Sequence, residues 1–307
     1  MSTHNIPPST LSPHSYPSSL VRLCMLEKIY ESKDLKLIQV DLNMGDNFHP
    51  SFLSINPAGT VPLLLVPNAE SIQPDRVPEF TRIADTKNIC NFLATKRRSI
   101  PSLIPLPHLV KKSNEIIDYL HSGDLDTNFL MLSATNNNEL ELNSSRAESY
   151  LISRQTAFDR YRHLCSLDRK NWFELKSQSN LDILNIYRFR SLNDDQILSN
   201  RQDFFKASQK TWSNLKNFLR KVDIELSSND SGPWIFGQDL TLVDLHLAAF
   251  LARVIADING NMNDEGIYKL YHICNLHLSK SMLLFWRNWL NRQSFRCVYM
   301  ERSSNNS

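Results

Sequence analysis

The chain has 307 residues, of which 41% are hydrophobic and 21% are charged, a composition typical of a globular protein long enough for two domains with cores of their own. Its formal net charge is +2 with both signs interspersed, which argues against a nucleic-acid-binding surface. No stretch approaches the roughly 20 apolar residues of a membrane span, and the Pro/Ser-rich N-terminus lacks the apolar core of a signal peptide. We therefore expect a cytoplasmic protein with no transmembrane segment and no nucleic-acid partner.

Five cysteines are scattered along the chain, an odd number without a CxxC pair: Cys24, Cys90, Cys165, Cys274 and Cys297. Scattered cysteines of this kind are typical of reduced thiols in a reducing compartment. We therefore expect neither a disulfide framework nor a metal site.

The most informative local stretch is INPAGTVPLLL, residues 55–65. Gly59 suits a turn with positive φ, and Pro62 can open a strand because it donates no ladder hydrogen bond. The Val61-Pro62 bond is a candidate cis peptide. Since only roughly one X-Pro bond in twenty is cis, the local sequence by itself favours a trans turn.

The segments around this stretch alternate between strands and helices. The spacing of apolar residues predicts a helix that begins where Ser18 and Ser19 cluster, with these serines as its N-caps. The alternation in DLKLIQVDL, residues 34–42, predicts a strand. The other predicted elements are a short strand at 10–12, a helical turn at 50–54, a strand at 61–66, a surface loop at 67–80, a weak strand at 82–84 and a helix that Asp85 caps.

Proline-rich residues 100–107, IPSLIPLP, form the predicted boundary between two domains. An α/β domain at residues 10–99 precedes them, after a disordered stretch at 1–9, and a helical domain at residues 108–300 follows, before a tail at 301–307. Within the second domain the period predicts helices at 109–120, 146–168, 180–189 and 204–226, and the polar sequence NNNELELNSS predicts a loop at 135–145.

A capping box is the second strong local signal. Thr241 and Asp244 have the spacing at which an N-cap hydroxyl and a carboxylate at the third helical position satisfy each other's amides. The helix behind them is apolar over most of its circumference, so we expect it at the centre of the second domain. His246 lies in this helix, where a hydrogen-bonded core histidine is favoured over a ligand because few partners are near in sequence.

Four pieces of the sequence, in order, resemble the cytosolic glutathione transferases. They are SYPSSLVRLCMLEK, SFLSINPAGTVPLLL, ADTKNICNFL and PWIFGQDLTLVDLHLAAF, and WLNRQSFRCV is similar to the closing segment of the family. The resemblance covers about residues 9–105 and, more brokenly, 106–300. It implies an α/β plus all-α fold, in which a thioredoxin-like N-terminal domain precedes an all-helical glutathione-transferase C-terminal domain, and it makes a cis Val61-Pro62 bond the favoured form.

The resemblance also implies a glutathione site. Asp85 would pair with the ammonium of the γ-glutamyl head, Thr86 would hold its carboxylate at the positive end of a helix, and Val61, turned outward by cis-Pro62, would pair with the cysteinyl backbone. Ser15 is the best match to the catalytic serine and Ser18 the second. Ser15, Ser18 and Ser19 also suit ordinary roles as turn and cap residues, and these alternatives stay open. Asp85 and Thr86 could likewise serve only to cap their helix.

Two further positions bear on glutathione. His49 lies near a cationic position that contacts glutathione in some branches, although a loop histidine is the favoured interpretation. Thr60 stands where many members place a Lys or Gln that helps to bind the glycine carboxylate. A long insertion at about residues 121–198 makes the chain look most like the ganglioside-induced differentiation-associated branch.

The leading hypothesis is a transferase that conjugates glutathione thiolate to an electrophilic small molecule, as in detoxification. Glutathione would be a co-substrate, with no resident cofactor, and a homodimer would be usual for the family. The alternative is a protein of the same fold without transferase activity, acting as a sensor, scaffold or partner-binding module. A glutathione-dependent reductase is disfavoured because residues 15–19 contain no cysteine.

Overall fold

The structure, a computed structural model, describes residues 8–11, 15–68, 79–97, 101–190, 195–228 and 231–301. Most of the loop predicted at 67–80 lies outside these residues, as do residues 1–7 and most of the predicted tail. The strands are β1 Pro8–Leu11, β2 Lys36–Gln39, β3 Leu63–Pro67 and β4 Phe80–Ile83. The helices are α1 Tyr16–Glu27, α2 Pro50–Ile55, α3 Thr86–Lys96, α4 Val110–Leu120, α5 Thr127–Leu132, α6 Asn137–Tyr161, α7 Lys170–Arg188, α8 Asp195–Ser227, α9 Leu242–Asp257, α10 Asp264–Ile273, α11 Lys280–Asn291 and α12 Gln293–Tyr299.

The chain divides into two compact units. The first unit consists of Met1–Gln39, Val61–Thr127 and Asn214–Ser307, and the second of Val40–Thr60 and Asn128–Ser213. The domain boundary at residues 100–107 stays a prediction.

A four-stranded sheet lies in the first unit, in the order β2-β1-β3-β4. The pair β1 and β2 is parallel, whereas β3 runs antiparallel to both β1 and β4. The mixed sheet and the helices that follow it confirm the predicted fold class. β1 begins at Pro8, inside the stretch predicted as disordered. β2 ends at Gln39 and not at residue 42, because the Asp41 carboxylate accepts from the amides of Asn43 (2.8 Å) and Met44 (3.2 Å) and turns the chain.

The core of the first unit is built around α9. This helix packs against α1 and α4, and α1 also packs against α3 and α12. Every residue of α9 from Leu242 to Ala252 is buried, as the nearly continuous apolar circumference predicts. At the far end of α1, the buried Glu27 carboxylate accepts from the Arg292 guanidinium (2.8 and 2.5 Å) and from the Ser294 hydroxyl. The segment WLNRQSFRCV, which lies near the C-terminus of the chain, therefore fixes the C-terminal end of α1.

The capping box predicted at the start of α9 is present. The Thr241 amide and hydroxyl both donate to Asp244 Oδ2, at 2.8 and 2.9 Å, and the Ile235 amide donates to Asp244 Oδ1 at 2.8 Å. Burial raises the pKa of Asp244 to about 6, although these hydrogen bonds act in the opposite direction. This carboxylate thus fastens the turn before α9 to the helix itself.

Several predicted helix bounds in the second unit are wrong: α6 ends at Tyr161 and not at residue 168, and α8 begins at Asp195 and not at residue 204. Where a loop is predicted at 135–145, α6 begins at Asn137, because Asn136 accepts from the Glu139 amide (3.0 Å) and the Glu139 carboxylate accepts from the Thr135 amide (2.7 Å). α7 begins at Lys170, ten residues before the predicted start. Its buried face includes Asn180, which donates to the Leu151 carbonyl (2.9 Å), so polar residues interrupt the apolar period by which a helix is recognised.

The opening stretch, residues 55–65, contributes to both units. In the second unit, Gly59 has φ of +63° and its carbonyl accepts from the Asn47 side chain at 2.7 Å, which confirms the predicted turn. The helical turn predicted at 50–54 is α2, which His49 caps.

Among the described residues, none of the helices is long and apolar enough to cross a membrane.

Candidate functional site

The register of the sheet brings three of the predicted site segments to one edge. Thr10 pairs with Leu63, and Leu64 pairs with Ile83. The C-terminal end of β1, the N-terminal end of β3 and the C-terminal end of β4 therefore lie side by side. Ser15 follows the first, Val61-Pro62 precedes the second, and Asp85 and Thr86 follow the third.

Ser15 is the N-cap of α1, which corrects the prediction that Ser18 and Ser19 cap this helix. Pro17 at the start of the helix explains the shift, because its fixed φ suits the first turn and leaves the later serines inside. The Ser15 side chain makes no capping hydrogen bond and the residue keeps 8% exposure, whereas Ser18 is 0% exposed. No acidic residue lies in the first turn, so the positive end of the helix dipole is not neutralised there.

The Val61-Pro62 peptide bond is cis. This is the form that the family resemblance implies, and not the trans turn that the local sequence favours. The Val61 side chain is buried, and no hydrogen bond joins its amide or carbonyl to another described residue. The backbone of Val61 is thus available at the start of β3, beside the last residues of β4.

Asp85 is the N-cap of α3, as predicted, and its Oδ1 accepts from the Asn88 amide at 2.9 Å. The side chain is exposed, and Oδ2 makes no hydrogen bond to a described residue. Thr86 begins the helix and is buried. The amides of Thr86 and Lys87 belong to the first turn of α3, where no carbonyl of the same helix can accept from them.

The two remaining predicted positions belong to the second unit. His49 is exposed and accepts from the Ser51 amide through Nδ1 (3.2 Å), and its ring meets Tyr161 edge-on. Thr60 is exposed, and its carbonyl and hydroxyl oxygens both accept from the Asn56 side chain (2.6 and 3.3 Å). Both residues thus have structural roles in their own unit.

Sequence reasoning missed a group beside this edge in the first unit. The ring of Tyr16, the residue after Ser15, stacks on His121 with centroids 6.0 Å apart. His121 in turn shares a hydrogen bond with His246, 2.7 Å from Nε2 to Nδ1. His246 is therefore the hydrogen-bonded core histidine that the sequence favours, but its partner lies 125 residues away, and no local signal could have found it.

The charges around this group come from α3 and α4. Lys87 donates to Asp118 across a 2.5 Å ion pair. Burial lowers the pKa of His121 below its ordinary value and that of His246 well below it, and the Lys87 charge acts in the same direction on both. Both imidazoles are therefore neutral at neutral pH.

All five cysteines are free thiols in the structure, and the reduced state of the protein stays a prediction. Within the described ranges, no group of three His, Cys, Asp or Glu side chains has an arrangement that could hold a metal ion.

Comparison with known proteins places the fold. No family model matches the sequence, and no curated protein matches it. Three solved structures are similar over nearly the whole chain. One is a glutathione transferase family member of Pseudomonas fluorescens with two glutathione bound, at TM-score 0.56 and 12% identity over 96% of this chain and 92% of that one. Gtt2 of Saccharomyces cerevisiae has TM-score 0.55 and 12% identity over 95% and 99%, and glutathione transferase F2 of Populus trichocarpa has 0.54 and 15% over 97% and 99%. At such low sequence identity, structural similarity establishes the fold and nothing further. This chain has the glutathione transferase fold.

Proposed function

We propose that this chain binds glutathione at the sheet edge formed by β1, β3 and β4, and conjugates it through its sulfur to an electrophilic small molecule. The observation that carries the proposal is the register of the sheet, which brings Ser15, the backbone of Val61 and the Asp85-Thr86 pair to one edge. Glutathione is a co-substrate in this proposal, and no resident cofactor is needed.

The binding contacts follow from the chemistry of glutathione. Its γ-glutamyl head carries an ammonium, which suits the exposed Asp85 carboxylate, and a carboxylate, which suits the unpaired first-turn amides of α3 and the Thr86 hydroxyl. Its cysteinyl residue can pair through its amide and carbonyl with the backbone of Val61, as an added antiparallel strand would.

The reaction needs the thiolate form of glutathione. A thiol with an ordinary pKa of about 8.5 is mostly protonated at neutral pH, and the N-terminus of a helix lowers such a pKa by favouring the anion. Ser15 stands at the N-terminus of α1, and its hydroxyl is not used in capping, so it can donate to the sulfur. The thiol proton is released to water, and a sulfur lone pair forms the bond to the electrophilic carbon. The displaced electron pair departs with the leaving group or, where an activated double bond is attacked, moves to the neighbouring atom, which then takes up a proton from water.

Calorimetric titration with glutathione, followed by conjugation of an activated aryl chloride, tests the proposal. We expect saturable binding below millimolar concentration and a conjugation rate above the uncatalysed reaction. S-methylglutathione serves as the control, because it keeps both ends of the ligand but has no thiol that can ionise to a thiolate. No binding at millimolar glutathione would reject the proposal altogether.

A second candidate is a glutathione-binding protein without transferase activity, acting as a sensor, scaffold or partner-binding module. It is favoured by Thr60, which stands in place of a cationic or amide side chain and whose oxygens are taken by Asn56. Binding of glutathione without conjugation of any of a panel of electrophiles would support this candidate over the first.

Four further proposals concern the compartment, the oligomeric state, the cellular role and the family branch of the protein. We propose a cytoplasmic homodimer with a role in detoxification, in the ganglioside-induced differentiation-associated branch. Sedimentation velocity over a range of concentrations tests the dimer, since a constant monomer mass at micromolar concentration contradicts it.

A further inference from the structure

We propose that His121 is a further residue of the glutathione site, presenting a fixed Nδ1–H to the carboxylate of the γ-glutamyl half, and that His246 is its positioning residue. The inference rests on the proposed function, because the ligand it concerns is glutathione. It assigns a binding role to the histidine pair that the function described above does not use.

The place of His121 follows from its contacts with both halves of the site. Its ring stacks on Tyr16, the neighbour of Ser15, at 6.0 Å and an interplanar angle of 22°. One turn earlier in α4, Asp118 forms the 2.5 Å ion pair with Lys87, which follows Asp85 and Thr86 at the start of α3. His121 therefore stands between the segment that faces the thiol and the segment that faces the γ-glutamyl head.

Burial of His246 decides the tautomer of His121. His246 is 0% exposed, and its Nε2 has no hydrogen-bond partner among the described residues. A neutral imidazole carries one proton, and a buried N–H without a partner is costlier than a buried lone pair without one. The proton of His246 is therefore on Nδ1, from which it is donated to Nε2 of His121 across 2.7 Å.

The consequence is that His121 accepts at Nε2 and must carry its own proton on Nδ1. Part of His121 reaches solvent whereas the rest of its ring is enclosed against Tyr16 and His246, and no described residue accepts from its Nδ1. The Nδ1–H of His121 is thus a hydrogen-bond donor of fixed position beside the proposed glutathione site. The core histidine acts on the ligand only by holding the ring and tautomer of the outer one, the role that a second partner often has for a functional histidine.

The charges that face the pair favour a neutral donor here. Asp85, Asp118 and Lys87 face His121, and His246 is faced by His121 and Lys87. A cationic side chain at position 121 would pair with the Asp85 carboxylate and repel the ligand ammonium that Asp85 is proposed to bind. A neutral imidazole donates to the ligand carboxylate without either effect.

The tautomer can be measured without any ligand. Long-range proton–nitrogen correlation spectra of protein labelled with 15N in histidine distinguish the two tautomers of each neutral ring. We expect both His121 and His246 as Nδ1–H tautomers at neutral pH, with assignment by the variants His121→Phe and His246→Asn. A proton on Nε2 of His121 would overturn the inference, whatever the protein binds.

The ligand role is tested by binding to glutathione and to the dipeptide cysteinylglycine, which lacks the γ-glutamyl half. His121→Phe keeps a ring against Tyr16 but removes the N–H. We expect about a tenfold or greater loss of affinity for glutathione, since the lost hydrogen bond is to a charged group, with the affinity for the dipeptide unchanged. His108→Ala, an exposed histidine just before α4, is the matched control and should bind as the wild type does.

His246 gives the positioning test. His246→Ala removes the donor to His121 and should weaken glutathione binding, whereas His246→Asn, whose side-chain amide can lie where Nδ1 lies, should restore much of it. Thermal unfolding shows whether each variant is folded. If wild type binds no glutathione, the proposed function fails and this role fails with it. If wild type binds glutathione and His121→Phe binds it equally well, only the present inference fails.

Discussion

Two aspartates of the first unit stand at the starts of helices and are used in opposite ways. Asp244, at the third position of α9, is 0% exposed and accepts three hydrogen bonds shared between both of its oxygens. Asp85, the N-cap of α3, is exposed and accepts one hydrogen bond, from the Asn88 amide, with a single oxygen. The same residue type therefore completes the fold at α9 and leaves bonding capacity open at α3.

The difference shows how a capping aspartate with capacity for a ligand can be told from one that is fully used by the fold. Sequence spacing marks the two aspartates equally well, because each begins a helix after a turn. Burial and the number of satisfied acceptor sites separate them, since a carboxylate has room for about four hydrogen bonds and only an incompletely satisfied one can bind a ligand.

Asp244→Ala should have the largest effect, on stability. The change leaves the buried amides of Ile235 and Thr241 and the Thr241 hydroxyl without an acceptor, so we expect the free energy of unfolding to fall by about 3 kcal/mol or more. Urea denaturation followed by circular dichroism measures the loss. A loss below about 1 kcal/mol would mean that the three hydrogen bonds do not hold the turn before α9.

Asp85→Ala should affect binding more than stability. Loss of a charged hydrogen bond to the glutathione ammonium should cost about 1.5 to 3 kcal/mol of binding free energy. Loss of its single capping bond should lower the free energy of unfolding by about 1 kcal/mol at most, because the site is exposed to water. Calorimetry and urea denaturation on the same variant give both numbers, and a larger loss in stability than in binding would make Asp85 a second structural cap.

Ser15→Ala extends the contrast to a third helix start. The Ser15 hydroxyl makes no capping hydrogen bond, so its removal should leave the free energy of unfolding nearly unchanged while lowering the conjugation rate about tenfold, with little change in glutathione affinity. The matched control is Ser279→Ala at the start of α11, where the hydroxyl accepts from the Met282 amide at 2.9 Å and donates to the Asp223 carboxylate at 2.6 Å. That variant should lose about 1 kcal/mol of stability or more and keep its rate.

The smallest effect is the pH dependence that Asp244 adds to stability. Burial raises the pKa of Asp244 to about 6 in the folded protein, above the ordinary value of 3.8 expected on unfolding. The folded state therefore binds the proton more tightly, so this group contributes most stability at low pH and loses it as pH rises toward about 6. The stability difference between wild type and Asp244→Ala should be about 1 kcal/mol larger at pH 5 than at pH 7.5. An equal difference at both pH values would contradict it.

Local signals were enough for the elements whose caps and apolar period agree. The capping box of Thr241 and Asp244, the cap at Asp85 and the apolar face of α4 all appear in the sequence within one or two turns of the residues they act on. They were correct because each depends on contacts between near neighbours, which spacing alone records.

The start of α6 was missed because its composition is polar. Leu140 is 0% exposed and anchors the first turns, but Leu142 is 83% exposed, so the two leucines do not indicate a single face. The Asn136 and Glu139 cap was visible in the sequence and would have identified the helix. The pairing of His121 with His246 is a different case, since it depends on how α4 and α9 pack and no local pattern encodes it.

The ion pair of Glu27 with Arg292 has a consequence for synthesis of the chain. The two residues are 265 positions apart, and ribosomes add roughly 5 to 20 residues per second, so α1 waits tens of seconds for the arginine that holds it. Until then the Glu27 carboxylate lacks the counter-charge beside which it is buried in the folded protein, and the apolar face of α1 lacks α9 and α12. The hairpin of α6 and α7, whose partners are close in sequence, can form on the nascent chain well before that. We therefore expect the second unit to resist protease on stalled ribosomes at lengths where the first unit is still cleaved.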